Sequence, residues 1–298
     1  MVFVRKIKEY YVLVHPVRKG KKITQKTKYL GKKLPHKQRL DQLKKEFLRE
    51  ITEGKYKYFS KDEAESIENK KEKYREEIKK LSHLEREKHF ENFMIRFTYD
   101  SSKLSGVKVT LRQTALILKD GIIPKEFKNL KTVKELENHE RGVVAITKFR
   151  GKLSTGFLKN LHKILFSGVD DTIAGKLRSE LERNVEIAGT PYVPPKWNEL
   201  DKELDEFFKW HKANNRKFHP LELAALMHMK IISLQPFTDG NSRLSRLLMN
   251  WVLWKKNYPM IDIKVSDIEN YYDALDKYQI EHDEKPFVKY IKEQYLET

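Results

Sequence analysis

The spacing of apolar residues changes period along the chain. Residues 2–14 are dense in β-branched and aromatic side chains (Val2, Phe3, Val4, Tyr10, Tyr11, Val12, Leu13, Val14). Val17-Arg18-Lys19-Gly20-Lys21-Lys22 reads as a turn, and Ile23 to Leu30 alternates in part before Gly31. Two β-prone runs about a glycine-containing turn predict a hairpin or small sheet. From about Leu40 the period becomes helical: Leu40, Leu43, Phe47, Leu48 and Ile51 share one face, and Gly54 stops the run. Ser60 caps a long charged helix over 61–93 with a thin stripe of Ile67, Tyr74, Ile78, Leu81 and Leu84. A helix this polar packs by one narrow face.

A short capped helix is expected at about 98–106, followed by helices at 112–119, 132–148 and 154–166. Residues 183–193 read as a hairpin or flap closed by Pro194, with Val185-Glu186-Ile187-Ala188-Gly189 its β-prone part. Helix 197–214, capped near Asn198, turns Leu200, Leu204, Phe207 and Phe208 inward. Helix 220–234 buries Leu223, Leu226, Met227, Ile231 and Leu234, and helix 243–256 carries Leu244, Leu247, Leu248 and Trp251 on its apolar side. Two helices at about 267–279 and 286–296 close the chain. The expected fold is mainly α, with a β-hairpin flap and a small basic N-terminal β module. The expected divisions are a β-hairpin module at 1–36, a helical region at 37–149 and a helical domain at 150–298.

Composition removes several chemistries. There are no cysteines, which excludes disulfides, thiolate zinc sites and thiol nucleophiles. Hydrophobic residues make up 39% and charged residues 35%, the balance of a soluble globular protein with a highly charged surface. Apolar runs fall far short of the roughly 18 residues a membrane span needs. Arg5, Lys6 and Lys8 interrupt the first apolar residues before a signal-type core forms. A cytoplasmic protein without a membrane partner is expected.

The net charge of +18 is unevenly distributed: residues 1–40 hold 13 Lys or Arg against Glu9 alone, a balance of +12. With Tyr10, Tyr11 and Tyr29 interleaved, this segment suits a nucleic-acid surface, where cations meet phosphates and aromatics stack. The same features also suit a solvated charged face or a dock for acidic partners.

The densest chemistry lies between helices 220–234 and 243–256. Unpaired N–H groups at the start of the second helix form an anion site. Gly240 permits close approach and positive φ. Arg243 and Arg246, at i and i+3, project from one helical face and suit bidentate phosphate contacts. Asp239 is the loop's carboxylate, of the kind that holds Mg²⁺ beside phosphates. Gln235-Pro236-Phe237-Thr238-Asp239-Gly240-Asn241-Ser242-Arg243-Leu244-Ser245-Arg246 resembles the Fic family signature H-x-F-x-[D/E]-G-N-G-R-x-x-R. Gly175-Lys176-Leu177-Arg178, Val185–Gly189 and Val193-Pro194-Pro195 resemble the family's flap region. His219-Pro220-Leu221-Glu222, Ala224–His228 and Trp251–Pro259 resemble its flanking helices.

The resemblance implies transfer of AMP from Mg·ATP to a hydroxyl of a protein substrate. It implies Asp239 as the Mg²⁺ ligand, and Gly240, Asn241 and Ser242 along the α- and β-phosphates. Arg243 and Arg246 would lie on the β- and γ-phosphates, with Val185, Glu186, Ile187, Ala188 and Gly189 as the flap aligning a target segment. Fic proteins often dimerise, and the thin stripe of helix 61–93 offers an edge for a homodimer.

Three departures change the picture. Gln235 stands where the family has its basic histidine, and an amide cannot take a proton near neutrality. Loss of a general base costs ~10²–10⁴ in rate. Ser242 replaces the last motif glycine. Ser101-Ser102-Lys103-Leu104-Ser105-Gly106 resembles the family's inhibitory helix [S/T]-x-x-x-E-[G/N], with Ser105 in place of the glutamate that pairs with the second arginine. Impaired AMP transfer, a nucleotide-binding pseudoenzyme, and a nucleic-acid-associated regulator acting through residues 1–40 are the three readings. His228 reads as a core residue and His219 as a helix cap, so neither replaces the base.

Overall fold

Lys8 adopts a left-handed backbone (φ 53°) and reverses the first apolar run, so residues 2–14 supply two strands rather than one. β1 (Phe3–Ile7), β2 (Tyr10–Lys19) and β3 (Lys22–Gly31) form an antiparallel sheet in the order β1-β2-β3. Arg5 lies opposite Val12 and Val12 opposite Tyr29, with a bulge where Leu30 is skipped between the Tyr11 and Val12 pairs. α1 (Lys37–Thr52) packs on β2 and buries Phe47. The computed structural model describes residues 2–19, 22–52, 56–125, 127 and 130–297. Gly20, Lys21 and Gly54, and the side chains of Leu48 and Ile51, lie outside the described residues.

The chain divides into two compact units, Met1–Lys57 and Tyr58–Thr298. The second is helical throughout its regular elements: α2 (Lys61–Lys80), α3 (His83–Lys103), α4 (Leu111–Leu118), α5 (Leu130–Lys148), α6 (Thr155–Phe166), α7 (Leu200–Asn214), α8 (Pro220–Leu234), α9 (Asn241–Lys255), α10 (Ile268–Glu281) and α11 (Lys285–Glu297). α8 and α9 are buried on nearly all sides, as central helices must be when they are apolar around most of their circumference. α5 and α6 pack against α9, while α7, α10 and α11 pack against α8.

Four expectations differ from the structure. The helix expected at 61–93 is two helices, because Ser82 caps α3 and forms a reciprocal capping box with Glu85. The separate short helix at 98–106 is the last turn of α3 and the turn after it, closed at Gly106 with φ 84°. Residues 183–193 form no hairpin. Pro191 and Pro194 lack the N–H that a ladder needs, and the Trp197 N–H goes to the Asn184 side chain instead. Lastly, the stripe of 61–93 is not an open edge along its length: Ala64 and Ile67 are buried, and α2 packs on α11.

Candidate nucleotide site

α8 ends at Gln235, whose αL backbone (φ 47°, ψ 59°) turns the chain out of the helix. Its N–H still reaches the Ile231 carbonyl at 3.1 Å. The Gln235 amide is engaged at both ends: Nε2 donates to the Ile232 carbonyl at 2.7 Å, and Oε1 accepts from Asn241 Nδ2 at 2.6 Å. Asn241 also donates to the Phe237 carbonyl (2.7 Å) and accepts the Phe237 N–H (2.9 Å). The polar atoms of the Asn241 side chain are therefore committed to the shape of the loop.

Gly240 is fixed by two requirements. Its φ is 76°, and a Cβ there would collide with the Phe166 ring at the end of α6. The loop rests on a stack that the sequence pattern did not disclose. The His162 ring lies 3.8 Å from Phe237 at an interplanar angle of 5°, and 4.5 Å from Phe166 on α6. Its Nδ1 accepts the Gly175 N–H at 3.0 Å, which leaves Nε2–H to donate to the Asp239 carbonyl at 3.1 Å. Burial, reinforced by the Arg243 charge, brings the His162 pKa down to about 4, so this neutral tautomer persists at physiological pH. The Asp239 carboxylate is exposed at the loop tip, with Oδ1 2.5 Å from the Gly240 N–H.

The two arginines have unlike surroundings. Arg243 is 4% exposed; its guanidinium lies 3.7 Å from Glu135 and 5.0 Å over the Phe166 ring, and its buried Nε has no hydrogen-bond partner. Arg246 is fully buried. Nε donates to Ser101 Oγ (2.9 Å), Nη1 to Ser242 Oγ (2.5 Å), and Nη2 to the Ser101 carbonyl (2.6 Å) and Ser105 Oγ (2.8 Å). Ser105 thus reaches Arg246 through a hydroxyl where the family motif has a carboxylate. Ser242 faces the same guanidinium, and Gly106 closes the turn behind Ser105. The shared projection expected of the two arginines does not occur: Arg243 turns toward α5 and α6, and Arg246 toward the end of α3.

Arg178 is a further contributor whose role the sequence left unassigned. Fully buried, it donates through Nε to the Gln235 carbonyl at 2.7 Å and through Nη2 to the carbonyls of Leu234 (3.3 Å) and Pro195. Its own N–H bonds the Pro236 carbonyl at 3.0 Å. A cation at the C-terminal carbonyls of α8 opposes that end of the helix dipole and ties segment 191–195 to the loop. Between them, Val185 and Ile187 are half-buried while Glu186, Ala188 and Gly189 are exposed, so residues 185–189 run alternately without a partner strand. His228 is a buried core residue, with Nε2 3.2 Å from Ser245 Oγ and its ring stacked on Phe287. His219 caps α8 through Nδ1.

This geometry suits an anion. The start of α9 presents backbone N–H groups beside a glycine-floored cradle, and Arg243 Nε and Thr238 Oγ1 are buried nearby without partners. A divalent cation would have Asp239 as a protein ligand and need phosphate oxygens to complete its shell. Among the described residues, no group of three or more His, Asp or Glu could hold a metal by itself.

The model of the Fic/DOC family matches residues 152–253, which span α6, the 183–195 segment, α8, the loop and α9. Residues 152–253 are a Fic domain. The chain is 33% identical over 133 residues to a protein adenylyltransferase Fic from Nematostella vectensis, covering 44% of this chain and 30% of that protein. It is 29% identical over 208 residues to the Aedes aegypti protein of the same name, covering 66% of this chain and 39% of that one. The chain therefore spans well under half the length of these curated relatives. A solved Fic-domain-containing signaling protein from Bacteroides thetaiotaomicron superposes with a TM-score of 0.70 at 26% identity, covering 78% of this chain and 93% of that one. The Fic fold thus extends beyond the matched residues into the surrounding helices. Among the described residues, no helix is long and apolar enough to cross a membrane.

Proposed function

We propose that this Fic domain binds Mg·ATP on the loop 239–246 and transfers AMP to a hydroxyl side chain of a protein substrate, at a rate limited by Gln235. The observation that carries the proposal is the cradle itself: left-handed Gly240 against Phe166, at the start of α9, with Arg243 Nε unspent beside it. The name of the curated relatives, protein adenylyltransferase, supports the choice of reaction. The backbone of Gly240, Asn241 and Ser242 would line the α- and β-phosphates, and Asp239 would hold Mg²⁺, which offsets charge on the departing pyrophosphate. Residues 185–189, extended and unpaired, would receive the target segment by strand addition. The proposal carries a cytoplasmic location, where Mg·ATP is abundant.

Gln235 sets the limit. Both ends of its amide are hydrogen-bonded within the loop, and neither can accept the proton released when the target hydroxyl attacks. Deprotonation then falls to solvent, at a cost of ~10²–10⁴ in rate. A second reading, a nucleotide-binding pseudoenzyme, is favoured by the Arg246 contacts, since that arginine must leave three serines before it can reach a γ-phosphate. Incubation with ATP labelled on the α-phosphate separates the two. Slow labelling of protein by the native chain, accelerated ~10²–10⁴-fold by Gln235→His, is the expected result. Labelling only after Gln235→His would establish the pseudoenzyme. No nucleotide binding by either form would overturn the site.

A further inference from the structure

We propose that the β1–β2–β3 sheet binds single-stranded nucleic acid on the face carrying Phe3, Arg5, Ile7, Tyr10 and Tyr29. Strand alternation and register place these side chains together: Phe3, Arg5 and Ile7 on β1 lie opposite Val14, Val12 and Tyr10 on β2, and Val12 in turn lies opposite Tyr29 on β3. Two side-chain contacts corroborate the shared face. The Tyr10 and Tyr29 rings are 5.4 Å apart, and Arg5 reaches across β2 to Gln25 on β3 at 3.1 Å.

Four apolar members of this face are open to solvent, with Phe3 38%, Ile7 47%, Tyr10 37% and Tyr29 61% exposed, whereas Val14 at its centre is buried. Exposed rings on a small sheet normally weaken a protein's solubility, and here two of the three rings, Phe3 and Tyr10, adjoin a cation. Arg5 sits 5.5 Å over Phe3 and Lys32 sits 5.4 Å over Tyr10. Residues 1–40 carry a balance of +12, and their lone carboxylate, Glu9, is paired with Lys32 at 3.2 Å. The Tyr10 and Tyr29 rings are tilted by 50°, so each keeps a face available rather than stacking on the other.

Cations beside open aromatic faces match a chain whose backbone is anionic and whose bases are unpaired, since every base offers a π-face for stacking. A duplex has already stacked its bases on one another and offers phosphates alone. The aromatic half of this surface would then have no role, and for that reason the single strand is the favoured partner. Ribose and deoxyribose strands share this chemistry. The inference rests on Met1–Lys57 alone and is independent of nucleotide transfer.

The test uses the full chain and fluorescence anisotropy with oligo-dT, oligo-dU and oligo-U of about 15 nucleotides, matched duplexes, phosphatidylserine vesicles and poly-glutamate. Single strands should bind ~10-fold or more tighter than duplex, with affinity falling as salt rises from about 50 to 200 mM. Joint Tyr10→Ala and Tyr29→Ala should weaken single-strand binding roughly 10- to 100-fold, while Tyr29→Phe, which keeps the ring, should bind like the native chain. Lys26→Gln, on the opposite face, should leave the salt slope and the preference for single strands close to those of the native chain. A higher affinity for oligo-U than for oligo-dU, or the reverse, would assign the sugar, since these differ in the 2′-hydroxyl alone. Equal or tighter binding to duplex, vesicles or poly-glutamate would overturn the proposal, as would native affinity in a folded Tyr10→Ala, Tyr29→Ala protein.

Discussion

The cations of the N-terminal sheet and those of the Fic loop are deployed in opposite ways. Arg5, Lys6, Lys8, Lys26 and Lys32 are exposed, and several share their charge only with a ring or a neighbouring side chain. Arg178, Arg243 and Arg246 are 0–4% exposed, and Arg178 and Arg246 have most of their donors assigned to named carbonyls and hydroxyls. Exposed charges interact weakly one by one and act as a field that salt screens. Buried charges lose their hydration and persist only where geometry replaces it. A basic residue in this chain is therefore informative about function in two different ways, through collective charge in the first region and through individual geometry in the second.

The most severe break in that comparison is Arg246→Ala. It removes the guanidinium from the buried Ser101 hydroxyl, at about 1–3 kcal/mol for a group left unsatisfied, and leaves the cavity of a fully buried side chain, while the Ser105 hydroxyl keeps the Ser101 carbonyl at 2.9 Å. A loss of about 3 kcal/mol or more in unfolding free energy is expected from denaturant titration. A loss under about 1 kcal/mol would mean that these contacts contribute little to holding α3 to α9.

Next in size is a pH effect at the stack beneath the loop. His162 has a folded-state pKa of about 4, below the ordinary imidazole value near 6.5, so the unfolded chain binds the proton more readily. The associated stability is present above pH about 6.5 and is lost as pH falls toward 4, by about 3 kcal/mol at most. His139 and His228, also buried and held below the ordinary value, act with the same sign. Thermal unfolding followed between these limits should show the decline, and His162→Gln should flatten part of it. An unchanged slope in that variant would place the titration elsewhere.

Much of the Fic loop was legible because its residues have local reasons to be there. Gly240 needs a left-handed backbone, Asp239 sits on an exposed turn, and α8 and α9 announce themselves by their apolar periods. What supports the loop was not legible. His162, Phe166, Glu135 and Arg178 act across long sequence separations, and a histidine on an apolar helix carries no sign of which carbonyl it will meet. The boundary at Ser82 had its own signal in Ser82-His83-Leu84-Glu85, a capping box masked by the charge on either side. The hairpin expected at 183–193 failed because β-propensity says nothing about whether a partner strand exists.

A smaller effect tests the Arg246 contact from the other direction. Ser105 is a neutral acceptor, and hydrogen bonds to a carboxylate are roughly twice as strong, so Arg246 leaves the present partner more readily. Ser105→Glu should raise thermal stability and weaken ATP binding about tenfold by calorimetry, a coupling within the usual range for linked sites. Unchanged ATP affinity in a folded Ser105→Glu protein would remove Arg246 from the phosphate grip and leave it a structural residue.

The smallest effect is expected on the sheet, and its smallness is the content of the prediction. Arg5 is exposed, hydrogen-bonds to an exposed Gln25 at 3.1 Å and stacks on a half-open ring. Arg5→Gln should change unfolding free energy by less than about 0.5 kcal/mol, the ordinary range for surface substitutions. If the face binds a single strand, the same substitution removes one phosphate contact and lowers the log–log salt slope by about 0.7. Stability and binding then separate on one residue, which the buried arginines of the Fic loop do not permit. A loss of stability well above 0.5 kcal/mol would show instead that Arg5 holds the sheet together, and its charge would carry no information about a partner.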